Sequence, residues 1–364
     1  MKCTKLSISL LFLLISFFSA GQNDTNPAGN TFTEVNSGYG FILAHRKSMK
    51  YLLHHVPSVD IKIGKSTAGK ELWEQLYKYP EYGIGGYWAN LGDPDLLGSV
   101  FATYAYMNYP IIRNQKFRFS YMYGAGMSYV SRCFDVQDNY TNIAIGSKIN
   151  IIFNIKFNTS INLTERLALT NNFGMTHYSN GAWAKPNLGI NVCDMYVGLR
   201  YYTDKKNTDG IIKHDIPEFK RINNIVVFYY SGIKAIDPPA GPRYIFSTIS
   251  VNLNRELNHK RTIGCGTDFF YDESLYTEFA DTSDTKFIHV IRNGIFLSHE
   301  YKIKRLSLLT QLGAYTYTKV TPVFILYTRT GFRYNITKRI IANLSLKAHF
   351  AIAEYVEWGI GYRF

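Results

Sequence analysis

Tyr355–Phe364, the last ten residues of the chain, read YVEWGIGYRF. Val356, Trp358, Ile360, Tyr362 and Phe364 share one parity, and Glu357, Gly359, Gly361 and Arg363 share the other. In a β-strand successive side chains point to opposite faces, so this segment presents one aliphatic and aromatic face and one polar or minimal face. A strand with lipid outside and polar groups inside carries that pattern, and closure into a barrel leaves no unpaired edge in the membrane.

A final strand that ends in Phe also resembles the terminal signature of outer-membrane proteins. Working back from it, segments of alternating polarity recur along the chain, separated by clusters of Asn, Asp, Gly, Pro and Lys. Candidate strands lie near 39–47, 57–65, 82–91, 97–108, 116–129, 147–159, 164–177 and 190–202. Others lie near 222–233, 243–257, 261–271, 286–301, 304–317, 323–336, 340–350 and 354–364. The only helical pattern is 69–79 (GKELWEQLYKY). The expected fold is all-β: a transmembrane antiparallel barrel of about 12–16 strands, 14–16 preferred, bacterial barrels having even counts. Composition agrees, with 29 Tyr and 24 Phe, 16% aromatic and only 18% charged residues among 364. If the N-terminus starts in the periplasm, odd strands run outward, and the short links near 160–163, 258–260, 302–303 and 337–339 all fall on the periplasmic side.

The other end of the chain indicates export. Lys2 and Lys5 precede the apolar stretch Leu6–Phe18, and Ser19, Ala20 and Gly21 follow. That is the plan of a removable signal peptide over 1–21, too short to span a bilayer. The domain reading is therefore a signal segment, 1–21, followed by a single outer-membrane barrel, 22–364. A net charge of +13 on an exported chain with no nucleic-acid motif points toward anionic lipid rather than DNA or RNA. After loss of Cys3, the three remaining cysteines, Cys133, Cys193 and Cys265, allow at most one bridge and suggest no metal cluster.

The segment that carries chemistry is Leu167–Leu199, LALTNNFGMTHYSNGAWAKPNLGINVCDMYVGL. Leu167, Leu169, Phe173, Met175, His177 and Ser179 share a parity, and on the returning strand so do Asn191, Cys193, Met195, Val197 and Leu199. The apolar parity faces lipid, which puts His177, Ser179 and Asn191 on the outer wall at the extracellular rim. His and Ser two residues apart on a strand sit about 7 Å apart by Cα, within reach of each other if the strand bends. Seryl attack on an ester needs such a base, a group to orient it, and donors for the oxyanion. An ordinary rim also carries His, Ser and Asn where it meets headgroups, so the longer pattern decides.

His177, Tyr178, Ser179, Asn180, Pro186, Asn187, Gly189 and Ile190, in HYSNGAWAKPNLGIN, resemble the active-site stretch of the lipid A 3-O-deacylase family without a gap. The members of that family are outer-membrane barrels that remove an ester-linked acyl chain from lipopolysaccharide. The resemblance spans about residues 80–205. It implies Ser179 as nucleophile, His177 as general base, and Asn187 and Asn180, with local backbone amides, as oxyanion stabilisers. It implies lipid A or a similar glycolipid as substrate, outer-membrane localisation, and no metal or organic cofactor. Family barrels have eight strands, so the further C-terminal strands predict a larger barrel. One position departs from the pattern: Asn191 stands where the family has a glutamate, and the neighbouring Asp194 has the wrong parity to replace it. Either the site works with Asn, a carboxylate arrives from elsewhere, or activity is lost. The competing expectation is a non-catalytic barrel, porin-like or structural, with a degenerate site; a third keeps the hydrolase and makes phospholipid the substrate.

Other features read as structural. His54 and His55 form a strand-end pair, Asp93 and Asp95 an Asp-Pro turn, and Gly264–Gly266 lacks the residues of a phosphate loop. Asp272 and Glu273 are expected as solvated charge in an outer loop, Arg113, Lys116 and Arg118 as a periplasmic cluster, and Lys185 as a lipid-phosphate contact.

Overall fold

The computed structural model describes residues 29–203, 211–279, 286–322, 324–350 and 352–364; the expected signal segment lies outside them. The strands are β1 (Thr31–Ile42), β2 (His55–Ser66), β3 (Glu81–Asn90), β4 (Ser99–Arg113), β5 (Phe117–Val130), β6 (Ile149–Asn162), β7 (Leu167–Ser179) and β8 (Ile190–Tyr202). They continue with β9 (Ile222–Ala235), β10 (Arg243–Glu256), β11 (Arg261–Asp272), β12 (Ile291–Ile303), β13 (Leu306–Thr318), β14 (Leu326–Asn335), β15 (Ile340–His349) and β16 (Ile352–Arg363). All are antiparallel, and the sixteen close as two barrels of eight, β1–β8 and β9–β16.

The all-β barrel class and the upper strand count are those read from the sequence. The single barrel larger than eight strands is not: β8 returns to β1 from Phe32↔Tyr202 to Ile42↔Val192, and β16 returns to β9 from Trp358↔Ser231 to Arg363↔Val226. The physical reason lies in the lumens. An eight-stranded barrel encloses a space that side chains just fill. Arg200 of β8 pairs inside the first lumen with Glu34, its cross-strand neighbour on β1 (2.6 Å), and reaches Glu81 of β3 (3.0 Å), and Lys62 pairs with Glu34 and Asp60 at 3.1 and 3.3 Å. In the second lumen Arg329 lies between Asp268 (3.0 Å) and Glu357 (2.5 Å), fully buried with both partners. Such charges are stable out of water only when paired this closely. In one wide sixteen-stranded lumen these side chains could not span the gap.

Four local expectations are corrected as well. The first strand lies at Thr31–Ile42 rather than 39–47, because the polar residues Glu34 and Asn36 are buried lumen groups, not part of a loop. Of 69–79 only α1 (Leu72–Leu76) is helical, with Glu74 accepting the Gly69 and Lys70 amides at 2.7 and 2.8 Å. Asp272 is not solvated: it ends β11, is 1% exposed, and meets Lys234 at 2.6 Å. Of the expected periplasmic basic cluster, Lys116 lies exposed in its turn, while Arg118 points inward and pairs with Glu81. Cys133, Cys193 and Cys265 are all free thiols.

The barrels touch at both ends. At the periplasmic end of this frame the Tyr77 ring packs edge-on against Tyr301 at 5.0 Å, Tyr77 donates to the Lys302 carbonyl, and Glu71 pairs with Lys304. At the opposite end the loop after β7 reaches the second barrel. The Ala235 amide donates to the Ala182 carbonyl at 2.9 Å, and Lys185 pairs with Asp237 at 3.6 Å, so its ammonium is engaged by protein. Val356 shares the outward parity of Trp358 and Ile360, which are 63% and 55% exposed, yet is itself only 6% exposed. Gly181 covers it, so closely that a Cβ there would lie 2.2 Å from Val356 Cγ2.

Candidate active site

β7 alternates as an outer-wall strand must. Ala168, Thr170, Asn172, Thr176 and Tyr178 are buried in the lumen, while Leu169 and Phe173 are exposed. His177 and Ser179 fall on the outward parity at its last turn of the pleat, and the β7–β8 register sets Asn191 directly opposite His177. The side chains join in a row. His177 Nδ1 lies 2.7 Å from Asn191 Oδ1, and His177 Nε2 lies 2.9 Å from Ser179 Oγ. An amide oxygen only accepts, so Nδ1 carries the imidazole proton and Nε2 turns its lone pair to the seryl hydroxyl. That is the tautomer a general base needs.

The loop 180–189 is held from several sides. Asn180 is fully buried; its Nδ2 donates to Ser147 Oγ at 3.1 Å, and Trp183 Nε1 donates to the same hydroxyl at 3.2 Å. The Asn180 backbone amide donates to Asn187 Oδ1 at 2.9 Å, and the Gly189 amide donates to the Ala144 carbonyl at 2.9 Å. Asn180 therefore fastens the loop, its side chain being engaged. Asn187, anchored through its oxygen, keeps its Nδ2 without a partner among the described residues. Gly189 has φ +77° and leaves no room for a Cβ, which would lie 2.8 Å from His177 Cε1.

Sequence reading missed two residues here. Ser147 ties the β5–β6 loop to the Asn180 loop. His45, in the turn after β1, accepts from Asn191 Nδ2 at its Nδ1, 3.1 Å away. Barrel closure brings His45 there: Phe41 pairs with Cys193, and the Leu43 amide donates to the Asn191 carbonyl at 2.8 Å. No local pattern announces a contact across 146 residues.

Below the triad the outer wall is apolar. Phe153 and Ile151 of β6 stand opposite His177 and Ser179, and Phe173, Met195 and Ile155 continue the surface toward the membrane interior. A charge-bearing or polar group facing lipid is costly without a role.

Comparison with known proteins adds the following. Among solved structures the chain is similar to Neisserial surface protein A, with 9% identity and a TM-score of 0.34 over 47% of this chain and 96% of that one. It is also similar to the Pseudomonas putida toluene transporter TodX, with 10% identity and a TM-score of 0.18 over 93% and 90%. Overlaps at this level assign no function. No curated protein matches the chain. The family model for lipid A 3-O-deacylase (PagL) matches residues 59–200, within the first barrel, and that for the acyloxyacyl hydrolase C-terminal domain matches 223–364, the second. Together the two models match strands of both barrels and most of the chain, and the chain belongs to the family of lipid A 3-O-deacylases and acyloxyacyl hydrolases.

Proposed function

We propose that the protein is an outer-membrane serine esterase that removes an ester-linked acyl chain from lipid A or a closely similar glycolipid. The observation that carries this reading is the row Ser179–His177–Asn191, hydrogen-bonded at 2.9 and 2.7 Å on the lipid-facing wall. Membership of a lipid A deacylase family points to the same chemistry.

In the first half-reaction Ser179 Oγ attacks the ester carbonyl while His177 Nε2 takes its proton. The oxyanion forms beside the loop 180–189, where Asn187 Nδ2 has no partner among the described residues, and its stabilisation lowers the barrier. Collapse breaks the C–O bond to the sugar, and His177 returns the proton to the leaving alkoxide. Water then attacks the acyl-enzyme with His177 again as base, releasing the fatty acid and restoring Ser179. The acyl chain lies along Ile151, Phe153, Phe173 and Met195, remaining in its own apolar medium while the headgroup sits at the rim.

Asn191 orients the imidazole but brings no charge to stabilise imidazolium, so turnover is slower than a carboxylate would give. A porin-like role is disfavoured by lumens that are filled and charge-paired in both barrels. Mass spectrometry of lipid A from cells expressing wild type or Ser179→Ala tests the reading. Loss of one acyl chain with wild type alone is expected; unchanged lipid A with folded wild-type protein would sink it. The released acids also separate substrates, 3-hydroxy acids marking lipid A and ordinary ones phospholipid.

A further inference from the structure

We infer that His45 is a positioning residue, acting through Asn191 to fix the tautomer of His177; the inference rests on the esterase reading above. The chemistry begins with the amide. A carboxylate offers His177 the same acceptor whichever way it is turned. A primary amide does not: one end accepts, the other donates, and half a turn about Cβ–Cγ exchanges them with almost no change of shape. If the Asn191 NH2 faced His177, Nδ1 would have to accept, Nε2 would carry the proton, and the imidazole could no longer take one from Ser179.

Both ends of Asn191 meet a ring nitrogen, His177 Nδ1 at 2.7 Å and His45 Nδ1 at 3.1 Å. What His45 offers therefore selects what His177 receives. With its lone pair at Nδ1, His45 draws the NH2 and leaves the carbonyl for His177. Asn191 and His45 together supply the orientation that one carboxylate would supply alone, which accounts for an asparagine working at this position. His45 is exposed and has no hydrogen bond to Ser179, so it acts only through the amide.

His45→Lys tests this, because an ammonium only donates: it removes the acceptor for the Asn191 NH2 and offers a partner only to its carbonyl. General-base catalysis contributes about 10²–10⁴-fold, so kcat should fall about 10²-fold or more with KM little changed. The double variant His45→Lys, Asn191→Asp should stay within a few-fold of Asn191→Asp alone, because a carboxylate accepts from both neighbours. His45→Lys within a few-fold of wild type, or an equal loss in both backgrounds, would overturn the inference. Ring ¹⁵N shifts of His177 in the detergent-solubilised protein read the tautomer without any substrate. Protonation at Nδ1 in wild type and at Nε2 in His45→Lys is expected, and an unchanged tautomer would overturn the relay. Should wild type release no acyl chain yet show this switch, the relay stands and the esterase reading fails.

Discussion

Under the proposed esterase reading, the chemistry of the site turns on Asn191. Its oxygen is 2.7 Å from His177 Nδ1, and an aspartate would place a carboxylate oxygen there at no cost in length. The added charge would stabilise the imidazolium of each proposed half-reaction, so Asn191→Asp is expected to raise kcat about 10-fold at neutral pH, taking a charge-assisted hydrogen bond as about 1–2 kcal/mol better than a neutral one. Steady-state release of fatty acid measures it, and an unchanged kcat would mean that proton transfer is not limiting. Gly189 bears on the same imidazole. Alanine there combines a positive φ with a Cβ 2.8 Å from His177 Cε1, so Gly189→Ala should lower kcat while leaving the barrel folded.

At the scale of elements, the loop 180–189 is braced by both barrels. Ser147 and Ala144 hold it from the first, and Ala235, Asp237 and Val356 hold it from the second. Its geometry is thus a property of two closed sheets rather than of one hairpin. Gly181→Ala, at φ +62° and 2.2 Å from Val356 Cγ2, is expected to push the loop off the second barrel and reduce activity. Pairing it with Val356→Ala removes the clash but not the left-handed strain of about 1 kcal/mol, so recovery should be partial. Acyl-release assays on the single and double variants decide; no recovery at all would show that the loop does not depend on this contact.

The whole molecule is two narrow barrels side by side, each with a lumen closed by paired charges. Planar-bilayer recordings of the purified protein should show no ion conductance, since side chains just fill a barrel of eight strands and buried ion pairs occupy both lumens. A steady channel would contradict the packing around Arg200 and Arg329. Breaking a buried pair leaves an uncompensated charge at about 3–5 kcal/mol, so Arg329→Met should destabilise the second barrel strongly. Heat-modifiable mobility on gels should report that loss as a lower unfolding temperature.

Period-two alternation is local, and the sequence determined what depends on it: a strand count at the top of the expected 12–16, every strand but the first to within about five residues, their lipid-facing parity, and the outward aim of His177, Ser179 and Asn191. The motif around His177 was legible for the same reason, its members lying within one hairpin. Tertiary structure alone decided where the sheet closes, because the β8–β1 and β16–β9 pairings join residues far apart in sequence and no local pattern encodes them. From that closure come the two barrels in place of one, the burial of Glu34 and Asp272, the second barrel's hold on the loop, and the meeting of His45 with Asn191. Side-chain facing is fixed by the pleat within a strand, whereas closure is chosen by which lumen charges can reach one another across the barrel.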